Sequence, residues 1–281
     1  MQAWDRRSES GCQDGGGGVA RPFAGVLRSR TVGAAKRGAA AHGAMSEGLL
    51  SLGEAIARLR KHYGPPEPPP TADPFELILL ENIAYLAPPA RRREAFDLLK
   101  RKVGTSPLAL LNADQQTLES VTSRGIMKAM SAAKLRECAR IAVEELGGDL
   151  DEIIQGPLGE AKRALRRFPS IGEPGAEKIL LFTGRQPLLA PDSNGLRVLV
   201  RLGLVREDKS YAKMYAASRE AAKALPAQPK VLQEAHLLLQ QHGQTLCKRG
   251  VPLCDECPLA DGCAYALRER RRPPGLFLQR G

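Results

Sequence analysis

Four cysteines, Cys247-x6-Cys254-x2-Cys257-x5-Cys263, fall within 17 residues and account for four of the six thiols in the chain. Spacing this short lets the backbone curl around one tetrahedral metal ion or one cubane iron–sulfur cluster at little closure cost. Disulfides fit poorly, because no secretory signal is evident and 281 residues can build a core without covalent staples. Zinc is chemically possible, although zinc ribbons usually bring two Cys-x2-Cys knuckles and this loop has one. Pro258, directly after Cys257, matches the Cys-Pro habit of iron–sulfur loops.

Two carboxylates and one turn add further chemistry. Glu81 interrupts an apolar helical run: its neighbours three and four residues away are Leu77, Ile78, Ala84 and Tyr85. Such a carboxyl either pairs with an arginine of the next helix or lines a cavity with a raised pKa. Asp192, in Ala190-Pro191-Asp192-Ser193-Asn194-Gly195, reads as the N-cap of a helix from 193 onward, an environment that keeps a carboxylate ionised. Between them, helices expected over 160–168 and 176–182 are joined by Pro169-Ser170-Ile171-Gly172-Glu173-Pro174-Gly175. A Gly/Pro turn leading into a helix N-terminus presents backbone N–H groups outward, a phosphate site that is indifferent to base sequence.

The elements that must position these groups are helical. Asp73-Pro74-Phe75-Glu76 is a helix start with an Asp cap and Pro at the first position, and the run to about residue 86 is apolar almost all round. An N-terminal helix with an apolar stripe over Leu49, Leu50, Leu52, Ile56 and Leu59 precedes it, separated by the stiff segment Pro65-Pro66-Glu67-Pro68-Pro69-Pro70. Further helices are expected over 91–103, 106–111, 114–120, 129–146 and 151–154, and between 210 and 241. No alternating strand pattern of useful length occurs, so the fold class is all-α. Residues 1–44, rich in Gly, Ala and Arg, read as a disordered basic tail, with Met45 an alternative start. The net charge is +11, of which that tail supplies four; the remainder favours a polyanionic partner, nucleic acid by default. No apolar run approaches the ~20 residues of a membrane span, and Cys12 and Cys138 beside a metal loop favour a reducing compartment.

The 6-2-5 cysteine spacing resembles the four-iron four-sulfur loop of endonuclease III and MutY-type DNA glycosylases, and the resemblance extends over residues 46–265. The turn Phe168-Pro169-Ser170-Ile171-Gly172 resembles that superfamily's Leu-Pro-Gly-Val-Gly hairpin, with Ser170 in place of a glycine. The resemblance implies a two-lobed helix-hairpin-helix fold. One lobe would be a six-helix barrel over 74–186 and the other an iron–sulfur helical lobe from 46–73 and 187–265, followed by a basic tail over 266–281. It also implies one four-iron four-sulfur cluster held by Cys247, Cys254, Cys257 and Cys263 that orders its loop.

For chemistry, the resemblance implies that Asp192 stabilises the oxocarbenium-like sugar and orients water, as carboxylates do in glycoside hydrolysis. Glu81 falls where MutY-type enzymes place the glutamate that protonates the leaving base, a role that needs a raised pKa, and Tyr85 becomes a wall on which a flipped base could stack. The lysine that forms a Schiff base in strand-cleaving members is replaced by Pro174, and Lys178, one turn on, is expected as a surface lysine near phosphate. DNA contacts are expected from Ser170, Ile171, Gly172, Gly175, Lys178, Lys248 and Arg249. Eighteen residues follow Cys263, too few for the extra domain with which MutY-type enzymes recognise oxidised guanine. The usual intercalating-loop sequence after the first barrel helix is also absent, replaced by Ala87-Pro88-Pro89-Ala90-Arg91-Arg92-Arg93. The expectation is a monofunctional, monomeric DNA N-glycosylase of base excision repair in the bacterial cytoplasm, acting on duplex DNA that carries a damaged or mismatched base. The alternatives are a bifunctional glycosylase/AP lyase using another amine, and a non-catalytic protein that binds damaged or abasic DNA.

Overall fold

The computed structural model describes residues 48–84 and 87–271. The expected tail over 1–44, residues 272–281 and Tyr85 lie outside them. Among the described residues there are helices and no strand, as the sequence pattern required.

Local rules fix where each helix starts. In α1 (Leu52–Tyr63) Ser51 and Glu54 form a reciprocal capping box: the Glu54 N–H donates to Ser51 Oγ at 3.3 Å and the Ser51 N–H to Glu54 Oε2 at 2.8 Å. Asp73 caps α2 (Pro74–Asn82) through the Glu76 N–H at 2.8 Å. The Glu76 side chain turns away to Thr105 and Lys100, at 2.7 and 2.9 Å, instead of closing a second box. The second helix stops at Asn82, earlier than its apolar run suggests, because Ala87-Pro88-Pro89 must open α3 (Pro89–Lys102). Then come α4 (Pro107–Asn112) and α5 (Gln115–Thr122), capped by Ser106 and Asp114, and α6 (Lys128–Arg140), which ends in a wider π turn over Ile141–Glu145. The hairpin is built by α7 (Leu150–Gln155), α8 (Leu158–Leu165) and α9 (Glu173–Phe182). The chain continues through α10 (Ser193–Leu202), α11 (Tyr211–Ala222), α12 (Pro229–Thr245) and α13 (Ala264–Arg270). The last helix replaces part of the expected tail: Ala266 is buried, and the Tyr265 ring lies between the guanidinium groups of Arg201 and Arg268 at 4.9 and 5.5 Å.

Packing arranges these helices around two hubs. One set gathers about α2 and α6, and α1, α10, α11 and α13 gather about α10 and α12. The junction is α9, which touches both α2 and α12. Close approach of α12 to α10 requires Gly243, where a Cβ would sit 2.7 Å from the Asn194 carbonyl oxygen. A second tie runs from α9 to α8 and α11. Glu177, 2% exposed, accepts from Tyr215 Oη at 2.6 Å, Arg219 at 2.6 Å and Lys162 at 2.8 Å, so a buried charge is fully paired. The two ends of the described chain also meet: the Leu50 N–H donates to Gly262 O at 3.0 Å, and a Cβ on Gly262 would lie 2.6 Å from Leu50 Cγ.

Candidate active site

Asp192 caps α10 as expected. Its Oδ1 accepts from the backbone N–H of Asn194 at 2.9 Å and of Gly195 at 2.8 Å. Its Oδ2 accepts from the Asn194 side-chain amide at 3.1 Å and from Gln240 Nε2 of α12 at 2.9 Å. Burial pushes the acid upward, but the Gly195 N–H and the Gln240 amide outweigh it, so the carboxyl lies below its ordinary value. Four neutral donors therefore hold an ionised carboxylate at the tip of a helix.

Glu81 lies near the end of α2 with a quarter of its side chain exposed, and its Oε1 is 2.6 Å from Lys178 Nζ of α9 and 3.9 Å from Arg92 Nη1 of α3. Burial pushes this acid up as well, yet Lys178 and then Arg92 reverse the direction and leave it below its ordinary value. The raised pKa expected of Glu81 is thus not what the fold produces, because a lysine distant in sequence is packed against it. Lys178 changes character too. It is not a surface lysine facing phosphate; its side chain is 19% exposed and points inward to Glu81. Tyr85, the expected stacking wall, is outside the described residues.

His236 of α12 links the two carboxylates and was not legible as a site residue. It is 2% exposed, its Nδ1–H donates to Ala190 O at 2.6 Å, and its ring meets Phe182 edge-on at 5.3 Å. Burial, then Lys178, drive it down to about 4, against the opposing pull of Asp192 and Glu81. The imidazole is therefore neutral near pH 7, with one tautomer fixed by the carbonyl.

At the hairpin, Gly172 is the N-cap of α9, and Glu173, Pro174 and Gly175 form its first turn, so Gly175 belongs to the helix and not to the linking turn. Its N–H still lies among the outward first-turn donors, whereas Pro174 has none. Ile171 differs from expectation: its side chain is buried and its N–H donates to Phe168 O at 3.2 Å, so that group is consumed within the turn. Ser170 adopts φ +63°, the left-handed conformation a glycine would take freely, and its Oγ accepts from Lys134 Nζ at 2.9 Å.

The four loop cysteines line a small recess of about 20 Å³, which is closed by Val198, Arg201 and Leu202 of α10, His242 of α12 and Tyr265 and Ala266 of α13. Burial pushes Cys254, Cys257 and Cys263 up, Cys257 to about 11, so a bound metal centre would have to displace protons. Among the described residues, no three His, Cys, Asp or Glu donors converge closely enough for one metal ion. Two arginines of α10 tie this loop to the helix that Asp192 caps. Arg197 donates to Cys247 O at 3.0 Å and Gly243 O at 2.7 Å; Arg201 donates to Lys248 O at 2.7 Å and lies 3.3 Å from Cys247 Sγ. Lys248 and Arg249 are exposed. An open groove between α10, α11, the cysteine loop and α13 carries Arg197, Arg201, Arg206, Arg249 and Arg268 against the acids Glu207, Asp208 and Glu269, and it begins beside Ser193.

No family model matches the chain. Curated proteins do. An endonuclease III of Sulfolobus acidocaldarius is 29% identical over 199 residues, spanning 70% of this chain and 84% of that protein. A thymine-DNA glycosylase of Aeropyrum pernix is 27% identical over 203 residues, 69% of this chain and 84% of that protein. A solved structure of endonuclease III in a trapped covalent intermediate with DNA superposes with a TM-score of 0.62 at 19% identity, covering 79% of this chain and all of that one. These likenesses in sequence and fold support a place in the helix-hairpin-helix DNA glycosylase superfamily. Within that superfamily's fold, α8 and α9 are the hairpin, and the junction of α2, α9, α10 and α12 is where Glu81, Lys178, Asp192 and His236 gather.

Proposed function

We propose that this protein is a monofunctional DNA N-glycosylase, which flips a damaged or mismatched base from duplex DNA and hydrolyses its N-glycosidic bond without cutting the strand. The observation that carries the reading is Asp192: an ionised carboxylate, held by four neutral donors, at a helix tip beside a groove of arginines. A carboxylate held in that way costs no reorganisation as positive charge develops on the sugar, and it can orient the attacking water. The arginine groove and the first turn of α9 suit phosphates on either side of the flipped nucleotide. Pro174, at the position where strand-cleaving relatives carry their amine, has no nucleophile to offer.

The four thiols line one shared recess, and a loop with a single Cys-x2-Cys knuckle suits a polynuclear cluster better than a zinc ribbon. Cys247, Cys254, Cys257 and Cys263 would hold a four-iron four-sulfur cluster, whose contribution when bound is to order the loop that presents Lys248 and Arg249. Purified protein is then yellow-brown and contains iron.

Single-turnover assays on a panel of duplexes containing uracil, thymine mismatches, oxidised pyrimidines and adenine opposite oxidised guanine test the activity. Asp192→Asn, which keeps the cap, is expected to slow excision by about 10³-fold while DNA affinity stays within a few-fold. An unchanged rate with intact binding sinks the enzyme reading and leaves a damage-binding protein. Lys178 is the amine that a strand-cleaving reaction would use; borohydride trapping on abasic DNA is expected to yield no adduct, because the ammonium is paired with Glu81.

A further inference from the structure

The arrangement around Glu81 restricts what base the site can release. Its carboxylate is flanked by two cationic donors from different helices, Lys178 Nζ at 2.6 Å and Arg92 Nη1 at 3.9 Å. Arg92 also has a buried Nε–H that meets no hydrogen-bond acceptor among the described residues. A buried donor left without a partner is costly unless a ligand supplies one. The constellation therefore reads donor, acceptor, donor, and carries one net positive charge.

We propose that Lys178, Glu81 and Arg92 read the edge of a flipped 2,4-dioxopyrimidine, and that the two cations stabilise the negative charge which that base carries away. The proposal rests on the glycosylase reading above and deepens it. The edge of a uracil-type base is acceptor, donor, acceptor: two carbonyl oxygens flank an N–H. Lys178 and Arg92 match the carbonyls, and the Glu81 carboxylate matches the N–H. Adenine presents one acceptor beside one donor and would leave the second cation unpaired. Adenine also departs readily only after protonation of its ring, which an ionised carboxylate paired to a lysine does not offer.

The bond changes balance without an external reactant. The C1′–N1 bond breaks with its electron pair on N1, and the charge spreads onto the two carbonyl oxygens facing Lys178 and Arg92. Asp192 faces the resulting sugar cation. Water adds through oxygen to C1′, its proton passes by way of Asp192 to solvent, and solvent reprotonates the base. Lys178 and Arg92 keep their protons throughout, acting as electrostatic stabilisers and not as acids.

Full-length protein is tested in single turnovers on duplexes containing uracil, 5-fluorouracil or adenine opposite oxidised guanine. Uracil and 5-fluorouracil are expected to be released, the latter about 10-fold faster because its anion is more stable, and adenine is not. Lys178→Gln is expected to slow uracil release by about 100-fold and 5-fluorouracil release by less, whereas Lys178→Arg recovers most of the rate. Loss of mere scaffolding would slow both bases alike. Arg92→Gln, at the start of a helix with a third of its side chain exposed, carries the same prediction at about 10-fold and stands in if Lys178→Gln does not fold. Excision of adenine with uracil untouched, or unchanged rates for both pyrimidines in the Lys178→Gln and Arg92→Gln proteins, overturns the proposal while leaving a glycosylase. Release of no base across the wider lesion panel overturns the glycosylase reading beneath it.

Discussion

Asp192 and Glu81 both lie below their ordinary pKa, by opposite means. Asp192 is surrounded by dipoles: two backbone N–H groups and two amides, none with a formal charge. Glu81 is held by full charges, Lys178 and Arg92, that arrive from other helices. A dipole-held carboxylate keeps its negative charge available to a substrate, whereas a charge-held one is already neutralised in part. In the proposed reaction, that difference leaves the sugar cation to Asp192 and hydrogen-bond recognition to Glu81.

Acidification separates the two most sharply, through the histidine that faces both. His236 titrates at about 4 in the fold against an ordinary 6.5, so the unfolded chain binds its proton first. Its contribution to stability is complete above pH 6.5 and is lost as pH falls towards 4, about 2 kcal/mol between pH 7 and pH 5. Both carboxylates, being depressed, contribute fully above their unfolded values and lose that contribution only below about pH 4 to 4.5. Urea unfolding at pH 7, 6 and 5 should show this slope, and His236→Gln should flatten it; a slope that survives the substitution assigns the proton elsewhere.

Lys178→Met strikes the charge-held acid most directly. It leaves Glu81 facing burial with Arg92 as its remaining partner, and is expected to destabilise the protein by about 1–2 kcal/mol at pH 7 in chemical denaturation. Adding Glu81→Gln should restore most of that loss. If the double variant is as weak as the single one, the pair is not what Lys178 contributes.

The smallest effect is expected from Gln240→Leu, which deletes one of four dipoles on Asp192. A cost of about 1 kcal/mol or less is expected, with the low-pH limb of unfolding scarcely moved. A larger shift than that of Lys178→Met would reverse the ranking of charge over dipole drawn here.

How much of this was readable beforehand depended on sequence distance. The Asp192 cap and most helix starts are written in neighbouring residues, and the structure places them as the pattern indicates. The partner of Glu81 is on α9, and nothing near residue 81 announces it; an arginine of the next helix was the local expectation, and it supplies the weaker contact. His236 looks like any core histidine until α12 is packed on α9 and α10. At the hairpin, Pro174 starts the helix as a first-turn proline where the motif suggested a longer loop, which also moved Gly175 inside. Gly243 did carry a signal, a glycine inside an otherwise helical run.

The bond from Leu50 to Gly262 bears on how the chain is made. Synthesis proceeds from the N-terminus, so α1 emerges early, while Arg58 must wait for Asp261, 203 residues later. The helices from α2 to α9 can pack during translation; α1 meanwhile carries an apolar stripe that α12 and the segment around Gly262 cover later. Closure by the cysteine-bearing segment thus comes long after α1 is made, and a ribosome that stalls before residue 262 leaves that stripe exposed to chaperones and proteases.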